Sequence, residues 1–187
     1  MAKVKLMFAA ICLCGFTLTQ AAIVVGNPNG KVTLTEVMDY QCIHCHNMQP
    51  VVDYLLQHDP DLKVRVIPVA VVNDTSLYQA SAGYVIAKES HDFMQYDHIL
   101  MQRAYTQDQT ADWLTQEHLN TPVFQSEMHQ KWVLNNMAEG LSLLNQYHSG
   151  TPFFLITPTN KPSQAKVFAG ETDPQAIIAA VEEATHA

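Results

Sequence analysis

Basic residues are few: ten Lys and Arg stand against eighteen Asp and Glu in 187 residues, a formal net charge of −8. Nucleic-acid binding needs a basic footprint, and an acidic surface of this kind argues against it. Long apolar runs are missing as well. Nothing after Ala21 approaches the ~20 apolar positions that a membrane helix needs. Cysteine is limited to four positions, 12, 14, 42 and 45. Disorder is excluded by the opposite measure, because 48% of the residues are hydrophobic. A chain of this length and composition can bury one sizeable core as a single domain.

Residues 1–21 read as a secretory signal peptide: Lys3 and Lys5, an apolar run from Leu6 to Leu18, then small residues around Ala21. The run is short for a membrane span. A lipoprotein leader fits poorly, since Ile11 and Leu13 precede Cys12 and Cys14 where a small residue is expected. Cleavage after Ala21 would leave eight basic residues against eighteen acidic ones, a charge of about −10, with Cys42 and Cys45 as the only cysteines.

Those two stand in Cys42-Ile43-His44-Cys45-His46, after the apolar-rich run 32–40 and before a helix-like segment, 47–57. Two cysteines three apart at the first turn of a helix bring both sulfurs to one end of it. Unpaired backbone N–H groups and the helix dipole favour negative charge there, which lowers the pKa of the first thiol. Cys42 is therefore the candidate nucleophile and Cys45 the candidate resolving thiol. His44 adds a polar or positive group beside Cys42. The same residues also spell the attachment motif of a c-type haem, with His46 as axial ligand. A strand running straight into the first cysteine favours thiol redox chemistry. Structural zinc would need four ligands, and there is no second cysteine pair to supply them. A disulfide between positions so close closes too short a loop to be a useful staple.

Taken in order, 23–25 reads as a short edge strand and 26–30 as a turn. In 32–38, Val32, Leu34, Glu36 and Met38 share one face, so Glu36 falls among apolar neighbours. It is either an exposed glutamate near a sheet edge or a buried acid beneath the cysteines, with a raised pKa and able to relay a proton. The next helix carries an apolar stripe, Met48, Val51, Val52, Leu55 and Leu56, with Pro50 inside it predicting a kink. Residues 62–72 read as a buried parallel strand reached by a right-handed crossover. Arg65 within it is either a cation snorkelling at the strand end or the partner of Glu36.

From 76 to 148 the pattern is helical, with segments at 76–89, 91–105, 111–119, one starting at Thr121-Pro122, and 131–147. Tyr84, Phe93, Met94, Tyr96, Met101, Trp113, Phe124, Trp132 and Met137 read as the core of a helical subdomain. His58, His91, His98, His118, His129 and His148 show no paired ligand spacing and read as surface residues. Strands return at 150–156 and 165–168, followed by a helix over 175–184. The order predicts an α/β chain: a thioredoxin fold with a helical domain inserted between its βαβ and ββα halves. Its parts are 22–75, the insertion 76–148, and 149–187.

With the Asp39-Tyr40-Gln41-Cys42-Ile43-His44-Cys45 run, the helical insertion and the Gly150-Thr151-Pro152 strand in place, the chain resembles the DsbA family of bacterial periplasmic thiol:disulfide oxidoreductases. The resemblance covers essentially all of the chain after the signal. It implies a cis Pro152 facing the cysteines, and Glu36 at the family's buried acid position. Arg65 falls where the family often has a lysine. It also implies exchange with reduced secreted polypeptides through a mixed disulfide, with no bound cofactor, and reoxidation by a membrane quinone-linked, DsbB-like partner. The Thr151 backbone is then available to pair with an extended substrate. Two departures stand out: Ile43 replaces the proline of the best-known members, and Thr151 replaces a valine, as in isomerases of this fold. An isomerase or reductase is therefore the alternative. Isomerases of the fold usually carry a dimerisation segment, and the roughly ten residues before Val32 are too short to supply one, so a monomeric oxidase is the expectation.

Overall fold

Alternation of side chains along a strand places every second residue of one segment on the same face. In the computed structural model, which describes residues 23–89 and 91–187, that alternation organises two hydrophobic layers. The signal peptide expected over 1–21 lies outside the described residues. Strands β1 (Ile23–Gly26), β2 (Val32–Met38), β3 (Leu62–Pro68), β4 (Phe153–Pro158) and β5 (Lys166–Ala169) form one sheet in the order β1-β3-β2-β4-β5. β2 and β3 run parallel, joined by the crossover helix α1 (Ile43–His58), and the other pairings are antiparallel.

One face of the sheet carries Val32, Leu34, Met38, Val64, Val66, Phe154 and Ile156. These pack under Met48, Val51, Val52 and Leu55 of α1 and under Ile177 and Val181 of α7 (Pro174–Thr185). The other face carries Val37, Ile67, Val69 and Phe153, which meet Leu144. Leu144 belongs to α6 (Lys131–Gln146), the helix that closes the insertion. The apolar period of 2 in β2 thus serves two different partners. α1 runs through Pro50 as one continuous helix.

The insertion is built on α2 (Asp74–Lys88), which is buried at Ser76 and continuously from Gln79 to Ile86. An Asn73–Ser76 capping box starts it. Small residues Ala80, Ser81, Ala82 and Gly83 let its neighbours approach: α3 (Phe93–Gln102), α4 (Gln107–Gln116), α5 (Pro122–Met128) and α6. Most of the aromatic and methionine residues expected to form this core do so, although Met94 is exposed. The six histidines expected on the surface, positions 58, 91, 98, 118, 129 and 148, are exposed.

Two expectations change. The strand predicted over 62–72 stops at Pro68, because the N–H groups of Val71 and Val72 turn to the Asp39 carboxylate at 2.8 and 3.0 Å instead of to the sheet. Arg65 does not pair with Glu36: it bonds Glu139 on α6. The register explains this. Arg65 lies opposite Thr35 and Glu36 opposite Val66, so the two charged side chains leave on opposite faces.

Gly140 marks the closest approach of α6 to the sheet. A Cβ there would lie 2.6 Å from Val69 Cγ1 and 2.7 Å from Ile67 Cγ2, and both neighbours are stiff β-branched side chains. Gly140→Ala should therefore lose more by overpacking than the ~1 kcal/mol it gains in helix propensity, a net destabilisation of about 1–2 kcal/mol in urea unfolding. A stabilised variant would show that α6 rides higher on the sheet.

Candidate active site

β2 ends at Met38, and the chain turns through Asp39-Tyr40-Gln41 into α1, with Cys42 as N-cap residue. No side chain caps this helix. The backbone N–H groups of His44 and Cys45 in its first turn favour the Cys42 thiolate, and the Cys45 N–H also donates to the Cys42 carbonyl at 3.0 Å. The turn itself is held by Asp39, which is fully buried. Its Oδ1 accepts from Gln41 N at 2.8 Å, its Oδ2 accepts from Val71 and Val72 N, and its carbonyl accepts from Cys42 N at 3.0 Å. Gln41 reaches into the insertion, donating to Gln79 Oε1 and to the Tyr105 carbonyl, both at 2.8 Å. One carboxylate and one amide thereby tie the cysteine loop to the segment after β3 and to the helical block.

The two sulfurs differ in access. Cys42 is 8% exposed and Cys45 is 0% exposed, so only Cys42 can be reached from outside. The thiols are free in this structure. A hydrogen bond from the Cys45 thiol, helped by Thr151 and the backbone N–H groups of Cys45 and His44, outweighs burial and lowers Cys42 to about 5. Burial pushes the Cys45 thiol up, as does its bond to Cys42. The pair is thus one thiolate and one thiol at neutral pH, with the thiolate at the accessible position. On the opposite wall the Thr151–Pro152 bond is cis, and the Thr151 carbonyl stands 3.4 Å from Cys42 Sγ. The Pro152 carbonyl accepts from Gly170 N at 2.8 Å.

His44 is exposed between the cysteines. Its Nδ1 bonds Glu171 Oε2 at 2.7 Å, and that hydrogen bond, with the Cys42 charge, raises its pKa. Asn47 Nδ2 donates to the same oxygen at 3.1 Å. Sequence reasoning missed Glu171, and no local pattern marks it, since it lies 127 positions from His44.

Glu36 is buried, on the same side of the sheet as α1, and its Oε1 has no hydrogen-bond partner among the described residues. Burial first, then the charges of Asp97 and Asp53, push it up to about 8. The exposed-edge reading of Glu36 therefore falls. Asp97 on α3 is a second buried acid, also missed in sequence. Tyr40 donates to its Oδ1 at 3.1 Å and Gln49 to its Oδ2 at 3.4 Å, yet burial still carries it up to about 7.

The arrangement does not fit a haem. A thioether to Cys45 would have to form inside the core, and His46 Nε2 is engaged by the Tyr40 carbonyl at 2.8 Å. Among the described residues no three His, Cys, Asp or Glu side chains gather to hold a metal ion.

A thioredoxin family model matches residues 18–166. A search of curated proteins finds no match. Among solved structures, the chain is similar to a thioredoxin-like oxidoreductase from Silicibacter pomeroyi DSS-3, with a TM-score of 0.78 and 22% identity over 89% of this chain and 94% of that one. It is similar to a periplasmic thioredoxin-like protein from Salmonella enterica serovar Typhimurium (TM-score 0.73, 21% identity, 91% and 94% covered). A third neighbour is the thiol-disulfide exchange protein alpha-DsbA2 from Wolbachia pipientis (TM-score 0.72, 18% identity, 88% of each chain).

The low pKa of Cys42 makes stability depend on pH with a definite sign. A folded thiolate at about 5 against an unfolded thiol near 8.5 contributes stability that is complete above the unfolded value and lost as pH falls through the folded one. The advantage of reduced wild type over Cys42→Ser in urea should narrow between about pH 8.5 and 5, and the ultraviolet absorbance of the thiolate should fall with a midpoint near 5. The raised acids Glu36 and Asp97 work in the opposite direction, but they are common to both proteins and cancel. A Cys42 midpoint near 8.5 would mean that the first turn of α1 does not activate it.

Proposed function

Because the chain belongs to the thioredoxin family, whose model spans residues 18–166, we propose that it is a thiol:disulfide oxidoreductase that introduces disulfides into reduced secreted polypeptides. The observation that carries this reading is the asymmetry of the pair: an accessible, acidic Cys42 backed by a buried, weakly acidic Cys45. In the oxidised enzyme a substrate thiolate attacks Cys42 Sγ. The Cys42–Cys45 bond breaks, its electron pair leaves on the Cys45 sulfur, and that sulfur takes up a proton. A second substrate thiolate then attacks the substrate sulfur of the mixed disulfide, and Cys42 departs as a thiolate that is stable at neutral pH. Two electrons pass from the substrate dithiol to the enzyme pair; of the two substrate thiol protons one ends on Cys45 and the other is released to solvent, leaving a substrate disulfide and an enzyme with a Cys42 thiolate and a Cys45 thiol.

A good leaving thiolate makes the enzyme disulfide oxidising, which supports an oxidase over a reductase. The Thr151 carbonyl beside Cys42 supports alignment of an extended substrate strand along the Thr151–Pro152 wall. In this reading Glu36, which keeps its proton at neutral pH, is the internal acid that exchanges protons with the buried cysteine. The signal-like residues 1–21 and the periplasmic Salmonella neighbour support a periplasmic site of action. There a membrane quinone-linked partner of the DsbB kind would reoxidise a monomeric enzyme. Thr151 in place of valine keeps an isomerase as the second reading.

Cys45→Ala should accumulate mixed disulfides with substrate proteins on non-reducing gels, and Cys42→Ala should show none. The reverse pattern would overturn the assignment of roles. Equilibration with glutathione separates the activities: an oxidase should lie nearer about −120 mV, and a reductase nearer about −270 mV.

A further inference from the structure

Both walls of the cysteine site are touched by one short segment, Gly170-Glu171, in the loop between β5 and α7. Gly170 N donates to the Pro152 carbonyl at 2.8 Å, which fixes the root of the segment on the Thr151–Pro152 wall. One residue on, Glu171 Oε2 takes two hydrogen bonds from the first turns of α1, His44 Nδ1 at 2.7 Å and Asn47 Nδ2 at 3.1 Å. A solvent-exposed ion pair contributes little when two long side chains must be ordered to form it. Here the carboxylate is anchored at its backbone, and its oxygen is held by a second donor from the same helix, so most of the ordering is done before His44 engages.

We propose that Glu171 is a positioning residue that holds the His44 side chain as an imidazolium beside the Cys42 thiolate. The proposal rests on the thiol:disulfide reading and adds a residue to it. Glu171 bonds the His44 ring, and the Cys42 charge acts on the same ring, so the imidazolium interacts with two anions. The charged groups around His44 are Cys42 on its own helix and Glu171 from the β5–α7 loop. The Ser149-Gly150-Thr151-Pro152 wall contributes no ionisable side chain. The disulfide form lacks the thiolate, so the imidazolium stabilises only the reduced enzyme and makes the disulfide more oxidising. Without Glu171, His44 loses its proton at lower pH, and the thiolate loses its cation near neutrality.

The test is the glutathione equilibrium constant of wild type and Glu171→Gln at two pH values. At pH 7 the variant should be less oxidising by about two- to fivefold, the range of an exposed ion pair. At pH 5.5 His44 is protonated in both proteins, so the difference should vanish. Glu171→Gln placed in a His44→Ala background should change nothing. An equal loss at both pH values, a loss that persists without His44, or no loss at pH 7 would each overturn the proposal. NMR titration of the His44 ring needs no activity, and its midpoint should move down in Glu171→Gln; an unmoved midpoint also overturns the proposal. Wild type that fails to exchange with glutathione would defeat the oxidoreductase reading instead, while the ring titration would still decide the role of Glu171.

Discussion

The buried carboxylate of Asp39 is the constraint on which the site depends. It sits where β2 has run out of sheet partners and α1 has not yet begun, a place where backbone N–H groups have no regular acceptor. Its two oxygens take three of them, from Gln41, Val71 and Val72, and its carbonyl takes a fourth, from Cys42. Two strand ends and one helix start are thereby fixed to a single residue. The Cys42 sulfur can then be aimed at the first turn of α1 without a capping side chain competing for the same donors.

Three buried acids lie around this centre, and each faces a different set of donors. Asp39 is surrounded by N–H groups. Asp97 has a tyrosine hydroxyl and one amide, and Glu36 has no partner on Oε1. Lost solvation that is not made good by donors favours the neutral acid. Glu36 and Asp97 are driven toward holding their protons at neutral pH. The result is an interior that stores protons close to a helix whose outer end stores a negative charge.

Much of this is legible in the sequence, for a physical reason. Strand and helix periods are local, and so is the spacing of Cys42 and Cys45, so the βαβ unit, the helical insertion and the sulfur-bearing turn can be read from neighbours a few positions apart. The alternation in β2 likewise puts Glu36 among apolar residues. Pairing over distance is what cannot be read. Arg65 and Glu139 are 74 positions apart, Tyr40 and Asp97 are 57 apart, and His44 and Glu171 are 127 apart. A pattern that tells which face a residue occupies says nothing about what arrives on the other side. The 69–72 segment departs from expectation for a related reason. Its valines have strand composition, but the N–H groups of Val71 and Val72 are claimed by a carboxylate 32 and 33 positions earlier, just past the end of β2.

The placement of the insertion has a consequence for how the chain reaches its fold. β2 pairs with β4 from Val32 opposite Pro158 to Val37 opposite Phe153, and the whole helical block lies between the two strands in sequence. The β2–β3 ladder and α1 close over short loops, and α2 to α6 form from near neighbours, so these pieces can assemble early. The central antiparallel ladder closes a far longer loop, and its entropy must be met before the ladder returns any stabilisation. α6 eases that closure, because its last turn brings Leu144 against Phe153 at the start of β4 while packing on the same face of the sheet as Val37 and Ile67, beside the β2 edge that β4 joins. The insertion thus serves as a template that delivers the second half of the sheet to the first, and the slowest step of folding is expected to be the docking of β4 rather than the folding of the helices.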